Sequence, residues 1–403
     1  MSVTLQEIQQ AAERLDGVVR KTPILHSHRL SEHFGCEIYL KLENLQITGA
    51  FKIRGATNCI AQLTDPERAT GVITASAGNH AQGVAAAART AGIAATIVMP
   101  EITPVTKVQG TAEYGAEVSL HGRVFDEAPT EASRLADERG ATFVHPFDDD
   151  RVIAGQGTVG LEIIEQLPGV DCVVVPVGGG GLISGIATAV KTLKPEASVI
   201  GVQAENAPAM FLSCQVEELT RADVVGTIAE GIAVGKPCER TFEMIGERVD
   251  EMLTVAERDI ARAMLELLEH HKLVAEGAGA TPVAALESCS EQMRGKTVCL
   301  VISGGNADVT TLAGVIDRGL VEAGRSVKLQ VTLADQPGAL ATLATAIGEA
   351  GANIVEIYHD RMSVSLELSQ AEVELVLGTR GHEHIAEVIT CLRERGYDVE
   401  RMG

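Results

Sequence analysis

Tryptophan is absent from this sequence, and aromatic residues of all kinds make up only 3% of it. Stacking platforms for single-stranded nucleic acid are built from such rings, so their scarcity argues against that role. Positive charge is also in short supply. The 33 Lys and Arg face 55 Asp and Glu, a formal net charge of −22, which argues against nucleic acid or an anionic membrane surface as a partner. The eight cysteines, at 36, 59, 172, 214, 238, 289, 299 and 391, include no C-x-x-C pair and no His/Cys group at zinc spacing. They read as small core residues in a reducing compartment. Long hydrophobic runs are missing as well: residues 92–100 and 173–177 are strand-length, far short of a membrane span. The first twenty residues form a charged amphipathic segment (Leu5, Ile8, Ala12, Leu15) and not a signal peptide. A soluble cytoplasmic protein is the expectation.

What is present is a 45% apolar chain of 403 residues with 41 glycines, which suits an α/β protein of two or three domains. From about residue 37 to 310, apolar β-type runs alternate with alanine-rich helical stretches. Gly71–Ala75 leads into Ala81–Thr90, Ala94–Met99 into Val105–Tyr114, Cys172–Val177 into Leu182–Leu193, and Thr297–Ser303 closes the series. Strands apolar on both faces, each followed by a helix, indicate parallel sheets covered by helices. A second region begins near Arg325. Strands at 327–333, 353–359, 371–379 and 397–401, with helices at 339–349 and 382–395, give the order βαββαβ of a ferredoxin-like unit.

Three segments carry the chemistry. The first is Lys41-Leu-Glu-Asn-Leu-Gln-Ile-Thr-Gly-Ala-Phe-Lys-Ile-Arg-Gly55, which sets Lys52 after a turn and before a helix. Taken alone, that lysine reads equally well as a solvated surface residue. The second is Ser76-Ala-Gly-Asn-His80, between a strand and a helix, where Ser and Asn also suit an ordinary helix N-cap. The third is Val177-Gly-Gly-Gly-Gly181-Leu182, where glycines and a helix N-terminus can cradle a phosphate. By itself it also fits a tight turn or a nucleotide loop, although it lacks the Lys-Ser/Thr ending of a P-loop.

In order and spacing, the three resemble the pyridoxal-phosphate enzymes of the tryptophan-synthase β-type fold. Within that group the likeness is greatest to threonine dehydratases (threonine ammonia-lyases) with a C-terminal ACT domain. The resemblance implies two parallel-sheet α/β subdomains around a cofactor cleft, in a catalytic region at 1–320 whose smaller subdomain spans about 52–150. A ferredoxin-like ACT regulatory domain would occupy 326–403. It implies pyridoxal 5′-phosphate as cofactor, with Lys52 as the Schiff-base lysine that also moves the Cα proton. Phe51, Asn79, Gly178, Gly179, Gly180, Gly181, Leu182, Glu276 and Ser303 would surround the cofactor, with Asn79 near the ring oxygen and Ser303 facing the ring nitrogen. Ser76, Ala77, Gly78, Asn79 and His80 would bind substrate, His80 structurally and not as an acid or base. Glu276 can also be read as a surface-loop residue. One departure from the family pattern is Ala50, where many relatives carry Ser.

The implied reaction is α,β-elimination of L-threonine to 2-oxobutanoate and ammonia, and of L-serine to pyruvate. A dehydratase preferring serine or 3-hydroxyaspartate is the next reading. Serine racemases share the lysine but use a second acid/base where this chain has Ala77, which cannot carry a proton. Their divalent-metal site does not carry over to Gln203, Ala207 and Ala209, so no tight metal site is expected. Cysteine synthases lack both an ACT domain and the Thr227-Ile-Ala-Glu-Gly-Ile-Ala-Val234 motif. An inactive amino-acid sensor is the reading from another class, and intact Lys52, Asn79 and Ser303 argue against it. In the second region, Asp335-x-Pro-Gly338-x-Leu340, Gly351-x-Asn353-Ile354 and His359-Asp-Arg361 look like an ACT domain. Asp335, Gly338, Asn353 and Ile354 would border a groove for a branched-chain amino-acid effector, unless the domain serves assembly alone. A homodimer or homotetramer is expected.

Overall fold

A computed structural model of the chain describes residues 3–122, 127–360, 367 and 369–402, so Arg361 of the ACT-like motif lies outside the described residues. The chain divides into two compact units, Met1–Asp308 and Val309–Gly403.

The first unit is built on two sheets. The larger has the strand order Ile24–His26, Glu37–Leu42, Thr297–Ile302, Cys172–Pro176, Ser198–Ala204 and Glu251–Val255. All neighbours run parallel except the first pair, where the edge strand Ile24–His26 is antiparallel and reaches its neighbour through helix His28–Phe34. The smaller is wholly parallel, in the order Glu117–Leu120, Ala95–Met99, Val72–Ala75 and Thr142–Phe143. Its central strands are buried along their whole length, as is Cys172–Pro176 in the larger sheet. This is why their sequences are continuous apolar runs and not alternating ones.

The helices have legible starts. Thr4 caps Leu5–Leu15 through a reciprocal box with Glu7, and the helix buries Ile8, Ala11 and Leu15; Ala12, expected on that face, is only half-buried. Asp149 caps Asp150–Gln166 by accepting from the amides of Arg151 and Val152. The helix at 105 stops at Ala112, two residues before the expected Tyr114. Asp150–Gln166 and Gly181–Leu193 pack closely because Gly157 and Gly185 face one another. A Cβ on Gly185 would lie 2.6 Å from the Gly157 amide nitrogen. The large subdomain therefore holds both of its cleft-facing helices rigidly against one core.

The second unit folds as β-α-β-β-α-β. Its antiparallel sheet has the order Asn353–Asp360, Gln370–Gly378, Ser326–Ala334 and Asp398–Met402, with helices Ala339–Glu349 and His382–Glu394 on one face. Strand Ser326–Ala334 alternates as its period demands: Val327, Leu329, Val331 and Leu333 enter the core and the residues between them do not. Helix Val309–Glu322, which the sequence reading places in the first region, groups with this second unit.

Candidate active site

Lys52 opens helix Lys52–Ala61, immediately after Phe51. The turn before it is fixed by Gly49, which has φ +72° and presses on Asn306 where a side chain would collide. The amide of Phe51 donates to the Ser303 carbonyl at 3.1 Å, and the amide of Gly305 donates to the Gly49 carbonyl at 2.8 Å. The lysine-bearing turn is thus stitched to the loop that follows strand Thr297–Ile302, with Ser303 buried beside it. The Lys52 ammonium donates to the Pro146 carbonyl at 2.9 Å and sits 5.2 Å from the Phe51 ring centre. Burial draws its pKa down to about 8, although Glu276 pulls the other way.

Glu276 lies at the start of helix Gly277–Ala284, its amide donating to the Gly304 carbonyl at 3.1 Å. Glu276 is half-buried there; burial pushes its carboxyl up to about 7, while a hydrogen bond from Asn79 works against that rise. Asn79 Nδ2 donates to Glu276 Oε1 at 2.7 Å, and Asn79 Oδ1 accepts from Asn306 Nδ2 at 2.8 Å. Asn306 Nδ2 also donates to the Thr48 carbonyl at 2.7 Å. A chain of polar groups therefore runs from the lysine turn through both asparagines to the glutamate. Substituting Glu276 with Gln keeps the hydrogen-bonding shape and removes the titration. The rate-against-pH profile is expected to lose its inflection near pH 7, and an unchanged inflection would show that another group causes it.

Ser76, Ala77, Gly78 and Asn79 are half-buried at the mouth of helix Asn79–Ala91, with the Ser76 hydroxyl accepting from the Gly78 amide at 3.2 Å. The His80 ring is buried and committed elsewhere, Nε2 donating to the Val144 carbonyl at 3.0 Å. Burial, with Lys52 nearby, drives its pKa down to about 3, so the ring is neutral and unsuited to act as an acid.

The glycine segment leads from strand Cys172–Pro176 into helix Gly181–Leu193. Gly180 takes φ +92° as its N-cap, with no side chain to satisfy the first amides of the helix. A side chain at Gly179 would strike the Phe147 ring, and one at Gly178 would come 2.9 Å from Ile232 Cα; Gly181 is closed off by Phe147 in the same way. Protein fills the side-chain positions while the amides of the first turn, through Leu182, keep donors to spare. That is the donor set a phosphate monoester requires. Together with a lysine of depressed pKa, the buried Ser303 and the half-buried Asn79 and Glu276, it fits pyridoxal phosphate.

A family model described as pyridoxal-phosphate dependent enzyme matches residues 15–304. The chain belongs to that family. It is 50% identical to the L-threonine ammonia-lyase of Thermotoga maritima over 401 residues, all of both chains. Among solved structures, the processed threonine deaminase isoform 2 of Solanum lycopersicum aligns with a TM-score of 0.74 at 36% identity, over 79% of this chain and 90% of that one. Maize serine racemase aligns with a TM-score of 0.75 at 32% identity, over 80% of this chain and 99% of that one.

Some participants in this enzyme's site were not legible beforehand. Asn306 stands in the Ser303-Gly-Gly-Asn306 run, but nothing in that run says which side chain it meets. Pro146 and Phe147 join Lys52 to the glycine segment and carried no motif signal. Lys107 and Glu230 pair at 2.7 Å between the small subdomain's helix Val105–Ala112 and the segment around Ile232. The four effector candidates fall into two groups. Asp335 and Gly338 follow the end of strand Ser326–Ala334, whereas Asn353 and Ile354 begin strand Asn353–Asp360. Ser326 and Asn353 both pair with Gly378, so these groups stand at opposite ends of one sheet. Ile354 also packs on the core of that unit. Within one copy, the structure does not bring the four together.

No helix among the described residues is long and apolar enough to cross a membrane.

Proposed function

We propose that this enzyme is a threonine ammonia-lyase, converting L-threonine to 2-oxobutanoate and ammonia, with L-serine giving pyruvate. One observation carries the reading: a chain half identical, end to end, to an L-threonine ammonia-lyase keeps a half-buried lysine, held only by a main-chain carbonyl among the described residues, linked through Phe147 to a glycine-lined helix N-terminus. Bound pyridoxal phosphate supplies the electron sink that makes the Cα proton of an amino acid removable. Lys52 holds the cofactor, the amides of Gly178 to Leu182 take its phosphate, and Phe51, Asn79, Glu276 and Ser303 surround its ring. Ser76 and the amides of Ala77, Gly78 and Asn79 fix the substrate carboxylate. Lys52 Nζ, in its neutral form, accepts the Cα proton. Serine lacks only the methyl of threonine, and a pocket discriminates against such a loss by about 1–3 kcal/mol, so turnover of both is expected. A racemase must return a proton to the opposite face of Cα, and Ala77 offers none.

We assign catalysis to the first unit, Met1–Asp308, and read 326–403 of the second as an ACT-type regulatory domain for a branched-chain amino acid, in a cytoplasmic homodimer or homotetramer. The two-ended placement of Asp335 and Asn353 favours an effector groove completed by a second copy. The test is to reconstitute the protein with cofactor, follow an absorbance band at about 410 nm, and assay 2-oxo acid from threonine with and without isoleucine or valine. 2-Oxobutanoate formation is the expected result; a band without product overturns the threonine assignment. A rate indifferent to both effectors leaves the C-terminal unit with assembly alone.

A further inference from the structure

Outside the residues already assigned, one element touches both the lysine and the glycine segment. It is the strap His145-Pro-Phe-Asp-Asp-Asp150, which leaves the small sheet after Thr142–Phe143 and enters helix Asp150–Gln166. Its Pro146 carbonyl accepts from Lys52 Nζ, its Phe147 ring backs Gly179, and the Phe147 main chain closes off Gly181. The strap is curled from within by His145, whose Nδ1 accepts from the amides of Phe147 at 3.3 Å and Asp148 at 2.7 Å. From without it meets the large subdomain at Cys238, whose thiol hydrogen-bonds the Asp148 side chain, and above all at Arg240. Arg240, in helix Glu239–Arg248, donates to the Asp148 carbonyl at 2.7 Å. It also pairs with the Asp148 carboxylate at 3.4 Å and with that of Asp150 at 3.0 Å.

We propose that Arg240 is a positioning residue for Lys52, acting through this strap. A main-chain carbonyl can be aimed only by fixing the segment that carries it, and Pro146 contributes no N–H of its own to anchor that segment. The guanidinium is suited to the task because it donates to the Asp148 carbonyl while its charge pairs with two carboxylates at once. By tying the strap to the large subdomain, it sets the position of the free amine and, through Phe147, the back wall of the glycine segment together. The charged and titratable groups facing Lys52 are Glu276, His80 and His145. Arg240 makes no hydrogen bond or ion pair to any of them and acts by charge on His145 alone, so its hold on Lys52 runs through the geometry of the strap.

The proposal rests on Lys52 being the cofactor lysine, and the experiment separates the two. Cofactor-free wild-type, Arg240→Gln and Arg240→Lys proteins are exposed to a small amine-acylating reagent across pH, and modification at Lys52 is followed by peptide mass spectrometry. When the strap loosens, water replaces the Pro146 carbonyl and reaches the amine, so the midpoint for Arg240→Gln is expected to rise towards that of an ordinary lysine. After reconstitution, Arg240→Gln should lose about tenfold in kcat with KM nearly unchanged, as suits a modest misplacement of a reacting group. Arg240→Lys, which keeps one donor for the Asp148 carbonyl, should recover most of that loss. An unmoved acylation midpoint in Arg240→Gln overturns the proposal even if its melting temperature falls. So does a Lys variant no better than the Gln variant. Retention of the lysine-bound absorbance by Lys52→Ala would overturn the assignment of Lys52 instead, without reference to Arg240.

Discussion

Lys52→Ala is expected to lower turnover of threonine by on the order of 10⁴-fold and to abolish the absorbance of lysine-bound cofactor. The size of the effect follows from what the amine must do. A nucleophile and base has to be unprotonated, and an ordinary lysine with a pKa near 10.4 is neutral in fewer than about one molecule in a thousand at pH 7. Burial draws Lys52 down to about 8, which makes about one in ten neutral at the same pH. Its only hydrogen-bond acceptor among the described residues is a main-chain carbonyl, which stabilises the ammonium less than a paired carboxylate would. Lys52→Arg should fail as completely, since a guanidinium stays protonated. Both variants should keep the wild-type circular dichroism, because the side chain lies in a cleft and not in a packed core. Residual 2-oxobutanoate production within tenfold of wild type would remove Lys52 from the reaction.

Arg54→Met is expected to destabilise the protein by about 3–5 kcal/mol, measured by urea denaturation near neutral pH. Arg54 is among the largest fully buried side chains, two residues beyond Lys52 on the same helix. It forks onto Glu43 with two bonds of 2.8 Å and reaches Glu162 at 2.6 Å, while Lys41 donates to Glu162 and to the Thr22 carbonyl. Two cations and two carboxylates thus cancel one another out of water. Removing Arg54 leaves one carboxylate uncompensated there, which costs far more than the net worth of the pair.

The pH dependence has a definite sign. Burial works to raise the Glu43 pKa, but Arg54, with help from Lys41 and Thr22, outweighs it and holds the carboxyl below its ordinary value. In wild type, that contribution is present above about pH 4.3 and is lost as pH falls through the lower folded value. In Arg54→Met, burial prevails and the Glu43 pKa rises, so acidification lets it bind a proton and relieves the strain. The stability gap between the two proteins should therefore narrow from pH 7 towards pH 5. A gap that is small, or that widens on acidification, would mean that the cluster does not hold the helix as described.

The sequence by itself determined the parallel α/β architecture, because strands such as Cys172–Pro176 and Ala95–Met99 can be apolar throughout only if helices cover both faces. It determined the ferredoxin-like order of the second unit through the two-residue period of Ser326–Ala334 and the turns that interrupt it. The segments carrying Lys52, Ser76 to His80 and Gly178 to Leu182 were legible too, since glycine and helix-start chemistry are local properties of the chain. Tertiary structure alone decided which charges those segments bury. Lys41, Glu43 and Arg54 stand within the lysine motif, but their partner Glu162 is more than a hundred residues away, and no local pattern distinguishes them from solvated charges. The same holds for the Asn306–Asn79–Glu276 chain, for Pro146 against Lys52, and for the opposite ends at which Asp335 and Asn353 finish. Periodicity records which face a residue presents, whereas the identity of the group across a gap is set by the path of the whole chain.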